Sequence, residues 1–355
     1  MKDMRKIKCR ETLSSHKRYL YLAGFTKSGP VLGITIICIL LPAMFYGCNK
    51  PITVQDNGTA LTRLHVQTHD SDINHTLDVL VFNNDRLESL NTYQRFDSWD
   101  SGTLEASSSG GNMTFTILAN AQREKYDWAQ IRSRSNLSEI TLNLENERRN
   151  FPAMIGEKRS IAGKEISIGM ESISSEIIIK RLTCDFSSGT YSGCLIENPR
   201  IYLINVNAVS SAGGNQERIE KRFINTGRAD AGDIGNFKEP DLIYQELDNP
   251  IGPKGLEREI SLLCYANQVS EESPGSPFTR LVIEGTVKGT TYYWAFNISN
   301  ESGRPEVLPD CRYTYDIHIT RPGTTDPDIP IETTEGEIFL EIERWKEKDE
   351  YGVRF

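Results

Sequence analysis

This 355-residue chain is short of basic charge, paired cysteines, helical periodicity and catalytic motifs, and each shortage removes a class of function. Lys and Arg number 40 against 49 Asp and Glu, a formal net charge of −9. An acidic surface repels nucleic acid and anionic lipid head groups, so no nucleic-acid partner is expected. The seven cysteines form no CxxC pair or other zinc spacing. GxSxG, HExxH and Walker loops are missing, and Gly163-Lys164 lacks the Ser/Thr and the glycine spacing of a phosphate cradle. The chain therefore reads as a non-enzyme with no catalytic residues and no cofactor. His65 and His69 stand four apart, a metal spacing on a helix, but on a strand they would lie roughly 13 Å apart, so no metal site is assigned. Asp326-Pro327-Asp328 reads as a solvated turn.

Long apolar runs are also scarce, and the one present is informative. Residues 31–46 carry no charge and follow a basic segment with Lys2, Arg5, Lys6, Lys8, Arg10, Lys17, Arg18 and Lys27. That is an export signal. The run is below the roughly 17 to 25 residues of a bilayer-spanning helix, contains Pro42, and ends on Gly47-Cys48 before polar Asn49-Lys50. A small residue before Cys resembles a bacterial lipobox, which makes 1–47 a lipoprotein signal peptide, Cys48 the lipidated (palmitate-bearing) N-terminus and 48–58 a tether. A retained signal-anchor helix is the competing reading. Phe45 and Tyr46 depart from the usual lipobox residues. A chain starting at Cys48 has 308 residues, with 32 Lys and Arg against 47 Asp and Glu, a formal charge of −15.

Beyond the tether the pattern has a period of two. TALTRLHVQT sets Thr62, Leu64 and Val66 on one face. LDVLVF, 77–82, is apolar on both faces and predicts a central, doubly covered strand. RLESLNTYQRF returns after the Asn83-Asn84-Asp85 turn, NMTFTILANA is the next strand, and SISSEIIIKRL closes the first half near Leu182. PRIYLINV, EREISLLCYANQV, TRLVIEGTVKGTTYYWAFNIS with a turn at Lys288-Gly289-Thr290, RYTYDIHIT and EIFLEIERW follow. Only YDWAQIR and NLSEITLNLENERR read as helical. Short strands at even spacing with turns between them predict an all-β chain of two sandwiches, 59–185 and 186–355. Alternation places about half of Tyr292, Tyr293, Trp294 and Phe296 in the core, the other reading being a glycan site. Cys184 and Cys194 flank turn-rich SSGTYSG, so a hairpin could bridge them in an exported protein, with two buried thiols as the alternative.

LDVLVFNNDR, FTILANA, FPAMIGE, IIIKRLTCDF, RIYLINV, LCYANQ, RLVIEGTVKGTTYYWAFNI, YTYDIHITRPGTTDPDIPI and EIFLEIERW occur in the order found in the fimbrillins, the type V pilus subunits of Bacteroides-like bacteria. The mature chain resembles that family throughout. The resemblance implies two transthyretin-like (Greek-key) β-sandwiches in tandem, export as a lipoprotein to the outer membrane, surface exposure as part of a fimbrium, and assembly with other fimbrial subunits by β-strand exchange. In that assembly a trypsin-like protease cuts after an Arg behind the first strand, and the vacated groove takes the C-terminal strand of another subunit. Ile338, Leu340 and Ile342 would be the donor face. Their burial and ladder hydrogen bonds amount to on the order of 10 kcal/mol before ordering costs. The alternative is that this strand folds back on its own sandwich.

The family's cleavage position is missing: QTHDSDINHT has no Arg or Lys, and Arg63 lies inside the first strand. An uncut subunit keeps Thr62, Leu64 and Val66 and its lipid, which predicts the anchor, with a shaft or tip subunit as the nearest alternative. A surface adhesin or glycan-binding lipoprotein that never polymerises, with a host protein or glycan as partner, is the reading from another class. Pro309-Asp310-Cys311-Arg312 departs from the family's usual Arg-Asn pair.

Overall fold

The computed structural model describes residues 59–68, 75–99, 102–122, 125–126, 128–187, 189–215, 218–256, 258–300, 302–331 and 338–344. The signal segment, Cys48 and the tether to residue 58 lie outside the described residues. From Asp56 onward the chain forms one contact unit. No helix among the described residues is long and apolar enough to cross a membrane.

Alternation sets the first strands. β1 (Ala60–Gln67) buries Thr62, Leu64 and Val66 and turns Leu61, Arg63 and Gln67 outward. β2 (His75–Asn83) is buried on both faces from Leu77 to Phe82, with Asp78 the one polar residue in the run. Asp85 closes the following turn by accepting from the Leu87 and Ser89 amides, and β3 (Leu90–Trp99) returns antiparallel. β4 (Thr103–Ser108) and β5 (Asn112–Ala119) come next. Both segments expected to be helical shrink to fragments. One is a single 3-10 turn at Trp128–Gln130. The other is α1 (Arg134–Glu139), capped by the Ser133 hydroxyl accepting from the Asn136 amide, and followed directly by β6 (Thr141–Asn143). β7 (Met154–Ile161), β8 (Glu165–Gly169) and β9 (Glu171–Ser172) complete this half.

Two sheets face each other here, β4-β1-β8 and β3-β2-β5-β7-β9. Leu64, Val66, Leu104 and Ile166 from the first pack with Leu77, Val79, Val81, Phe115 and Ile117 from the second. The back of the larger sheet is covered too. Leu80, Phe82 and Leu118 join Leu137, Leu142 and Leu144 of the connecting segment in the other core cluster. Asp78 on that back face is 1% exposed. It accepts from the Tyr93 hydroxyl at 2.6 Å and the Arg95 Nε at 3.1 Å, so its charge is buried but paired.

The second half runs β10 (Ser174–Cys184), β11 (Glu197–Ile204), β12 (Val206–Asn207), β13 (Val209–Ser211) and β14 (Phe223–Ile224). Next come α2 (Ala231–Gly235), β15 (Tyr244–Glu246), β16 (Ile260–Tyr265) and β17 (Arg280–Val287). β18 (Thr290–Asn297), β19 (Cys311–Ile319) and β20 (Ile338–Arg344) end it. β17 and β18 form the expected hairpin, whose two turn residues, Lys288 and Gly289, both have positive φ (51° and 79°), the backbone that matches strand twist in a two-residue turn. Sheet β16-β10-β19-β20 packs on sheet β15-β11-β17-β18. Ile177, Ile179, Leu262, Tyr313 and Tyr315 meet Ile201, Leu203, Ile283 and Trp294 between them. The fold is thus an all-β arrangement of sandwiches.

One expectation about the division needs correcting. The strand at 174–184, read as the close of the first sandwich 59–185, pairs with β16 and β19 and so belongs to the later sheet. Its β-branched run is apolar on either assignment, and local pattern does not say which partner it takes. The two halves are also tied by a buried polar junction. Glu147 in the connecting segment accepts from Tyr265 of β16 at 2.6 Å, from Gln122 at 3.0 Å and from the Ala153 amide at 2.9 Å. Burial holds its carboxyl above the ordinary range.

Candidate strand-exchange site

β1 is a central strand. It runs antiparallel to β4 from Ala60–Ser108 to His65–Thr103, and parallel to β8 from Arg63–Glu165 to Gln67–Gly169. Both edges of its backbone are therefore occupied along the stretch where they overlap. Thr62 and Leu64 are fully buried, and the Thr62 hydroxyl accepts from the Gly163 amide at 2.8 Å. On the outer face Arg63 lies 3.6 Å from Glu105, and the His65 ring bonds Glu165 and, at 3.1 Å, Thr103. The hydrogen bond from His65, then its charge, lowers the Glu165 carboxyl from its ordinary value.

Two strands that hold β1, TLEASS and EISIG, escaped the sequence reading. Both carry a detectable alternation, Leu104/Ala106 and Ile166/Ile168 inward, but over six and five residues with Glu and Ser between. Arg63 sits between them in the ladder, an unfavourable place for a protease, which works on exposed loops. The 69–74 part of the linker lies outside the described residues, as does His69.

β20 is an edge strand. Among the described residues it pairs with β19 alone, from Cys311–Arg344 to Ile317–Ile338, at the end of its sheet. Ile338, Leu340 and Ile342 face the core but are only half-buried, while Phe339 is 67% exposed and Glu341 and Glu343 point outward. In this single chain the donor-type face thus folds back on its own sandwich.

The remaining candidates are placed as follows. Cys184 and Cys194 are free thiols, which corrects the candidate bridge. No hairpin joins them: β10 and β11 belong to opposite sheets, and the link between passes through a 3-10 turn at Gly189–Tyr191. Burial, with help from Asp185, pushes the Cys184 thiol up to about 12, which makes it unreactive. Among the described residues no group of three His, Cys, Asp or Glu is placed to hold a metal. Asp328 is not merely solvated: it accepts from Arg280 at 2.6 Å and Asn205 at 3.0 Å. Trp294 and Phe296 are core residues, whereas Tyr293 faces the opposite side of β18, in a groove with Tyr202 and Tyr244 that was not foreseen.

No protein-family model matches the sequence, and no curated protein matches it. Solved structures do. A candidate cell adhesion protein from Bacteroides eggerthii superposes over 81% of this chain and 96% of its own, with a TM-score of 0.59 and 14% identity. A candidate cell adhesion protein from Parabacteroides distasonis matches over 80% and 96%, at 0.55 and 12%. A fimbrilin from Porphyromonas gingivalis matches over 80% and 95%, at 0.54 and 12%. At these identities what is common to all four chains is the fold, over nearly the full length of each relative.

Proposed function

We propose that this chain is a structural subunit of a cell-surface fimbria, held in the outer membrane by lipid on Cys48 and joined to its neighbour by strand exchange through β20. The observation that carries the reading is a mismatch between composition and place. The most apolar alternating face near either end, Ile338, Leu340 and Ile342, lies on a half-buried edge strand paired on one side only. Moved into a groove of another subunit, the same strand would gain a second ladder and full burial, at about 0.5 to 1.5 kcal/mol per bond and up to about 1.5 to 3 kcal/mol per side chain. The fold common to this chain and a fimbrilin supports the same reading.

On this reading β1 stays in place. A subunit that keeps β1 between β4 and β8 has no vacant groove, so it donates a strand and accepts none, the role of the lipid-held anchor. Intact mass and N-terminal peptide mapping of the protein extracted from native membranes test this. A chain beginning at acylated Cys48 and continuous through His65 and His75 is expected. A lipid-free chain starting after Arg63 would make it a shaft or tip subunit, and truncation after Gly336 that leaves fimbrial assembly unchanged would remove the exchange itself.

A further inference from the structure

The outer face of sheet β15-β11-β17-β18, on the side away from the core, carries two rows of side chains that cross all four strands. Tyr244, Tyr202, Val282 and Ala295 are register partners in one. Glu246, Arg200, Glu284 and Tyr293 are partners in the next. The Tyr202 and Tyr244 rings stack with centroids 5.8 Å apart and 28° between planes. Their hydroxyls are fixed as well, Tyr202 donating to Glu284 at 2.9 Å and Tyr244 to Glu246 at 2.6 Å. Arg200 bridges both carboxylates, 3.2 Å from Glu284 and 3.3 Å from Glu246.

Above these rows is a cavity of about 730 Å³, walled by the α2 region and residues 325–327. That is within the roughly 300 to 1,000 Å³ of small-ligand sites. One wall is built in by Gly323, where a Cβ would lie 2.2 Å from the Tyr293 carbonyl oxygen. Reciprocal bonds of 2.9 and 2.8 Å between Tyr293 and Thr324 hold it there.

The chemistry of the lining selects among ligands. The lining carries two cations, Arg200 and Arg228, against two carboxylates, Glu284 and Asp326, so the groove offers no net positive charge to an anionic ligand. Half-buried tyrosine rings offer flat apolar faces, and the carboxylates and guanidinium beside them are held in fixed positions with spare lone pairs and N–H groups. A pyranose has the matching pair of properties, a C–H face for a ring and a rim of hydroxyls for the ions. We propose that this groove is a binding site for a neutral oligosaccharide, with Tyr244 and Tyr293 stacking on sugar faces and Arg200 and Glu284 bonding its hydroxyls. The site lies on the sheet opposite β20 and does not depend on strand exchange.

Saturation-transfer NMR on the full chain in a sugar-free detergent tests it, with maltotetraose, mannotetraose and N-acetyllactosamine as neutral probes and sialyllactose as the anionic one. At least one neutral probe is expected to bind at millimolar concentration. Tyr244→Ala and Tyr293→Ala should each weaken it about tenfold with an unchanged melting temperature, the loss of one stacked ring. Thr325→Trp, which fills the cavity mouth from an exposed loop position, should give the same loss without touching the sheet, while Tyr244→Phe keeps binding. Failure of all three neutral probes, equal binding by the alanine variants and Thr325→Trp, or tighter binding of sialyllactose overturns the proposal. So does a photo-crosslinker placed at Tyr293 that captures a polypeptide on cells when no sugar binds.

Discussion

β1 and β20 share one design, three inward apolar or small residues alternating with polar ones, yet they end in opposite environments. The less apolar set, Thr62, Leu64 and Val66, is buried in the middle of a sheet. The more apolar set, Ile338, Leu340 and Ile342, is half-exposed at an edge. Burial here follows the position of the strand in its sheet and not its hydrophobicity. β1 is clamped by two ladders, whereas β20 is held by one and can leave at lower cost, since exposed edges are open to further pairing.

The contrast can be broken most directly by equal truncations. Leu64→Ala opens a cavity in a closed core and should cost about 3 kcal/mol, whereas Leu340→Ala on the edge should cost only about 1 kcal/mol. Chemical denaturation of the two variants measures the difference, and equal losses would mean that β20 is as firmly built in as β1. Local opening comes next in size. Backbone amides of β20 should exchange with solvent roughly a hundredfold faster than those of β1, the signature of a unit that detaches without global unfolding. Limited trypsin digestion should likewise cut at Arg344 before Arg63, and the reverse order would show β1 to be the looser strand.

The smallest effect is a pH dependence where β1 meets β8. Glu165 has its pKa lowered in the folded chain by His65, so the stability it adds is present above the ordinary carboxylate value of 4.5 and fades as pH falls through the lowered value. A Glu165→Gln variant should lose this acid-side slope while matching the parent's acid-end stability. The group is exposed, so the change is small.

Much of this was legible in the chain itself. LDVLVF announced a doubly covered strand, and the fold covers it with β1's sheet on one face and the α1–β6 connector on the other. Lys288-Gly289-Thr290 announced the hairpin, and the structure narrows its turn to Lys288 and Gly289, both at positive φ. EISIG and TLEASS were overlooked because five or six residues with polar insertions carry too little periodicity to separate from loop. The tyrosine groove was hidden for another reason. Tyr202, Tyr244 and Tyr293 lie more than forty residues apart in pairs and meet only through the register of β15, β11, β17 and β18.

The sequence by itself determined where the longer strands lie and which of their side chains point inward, because alternation is a local property with a period of two. Tertiary structure alone decided that 174–184 joins the later sheet, that Cys184 and Cys194 remain free thiols, that β1 is central and that β20 is an edge. Partner choice is a competition among distant segments for the same ladder, and it is won by the packing of whole sheets, a quantity no single strand carries.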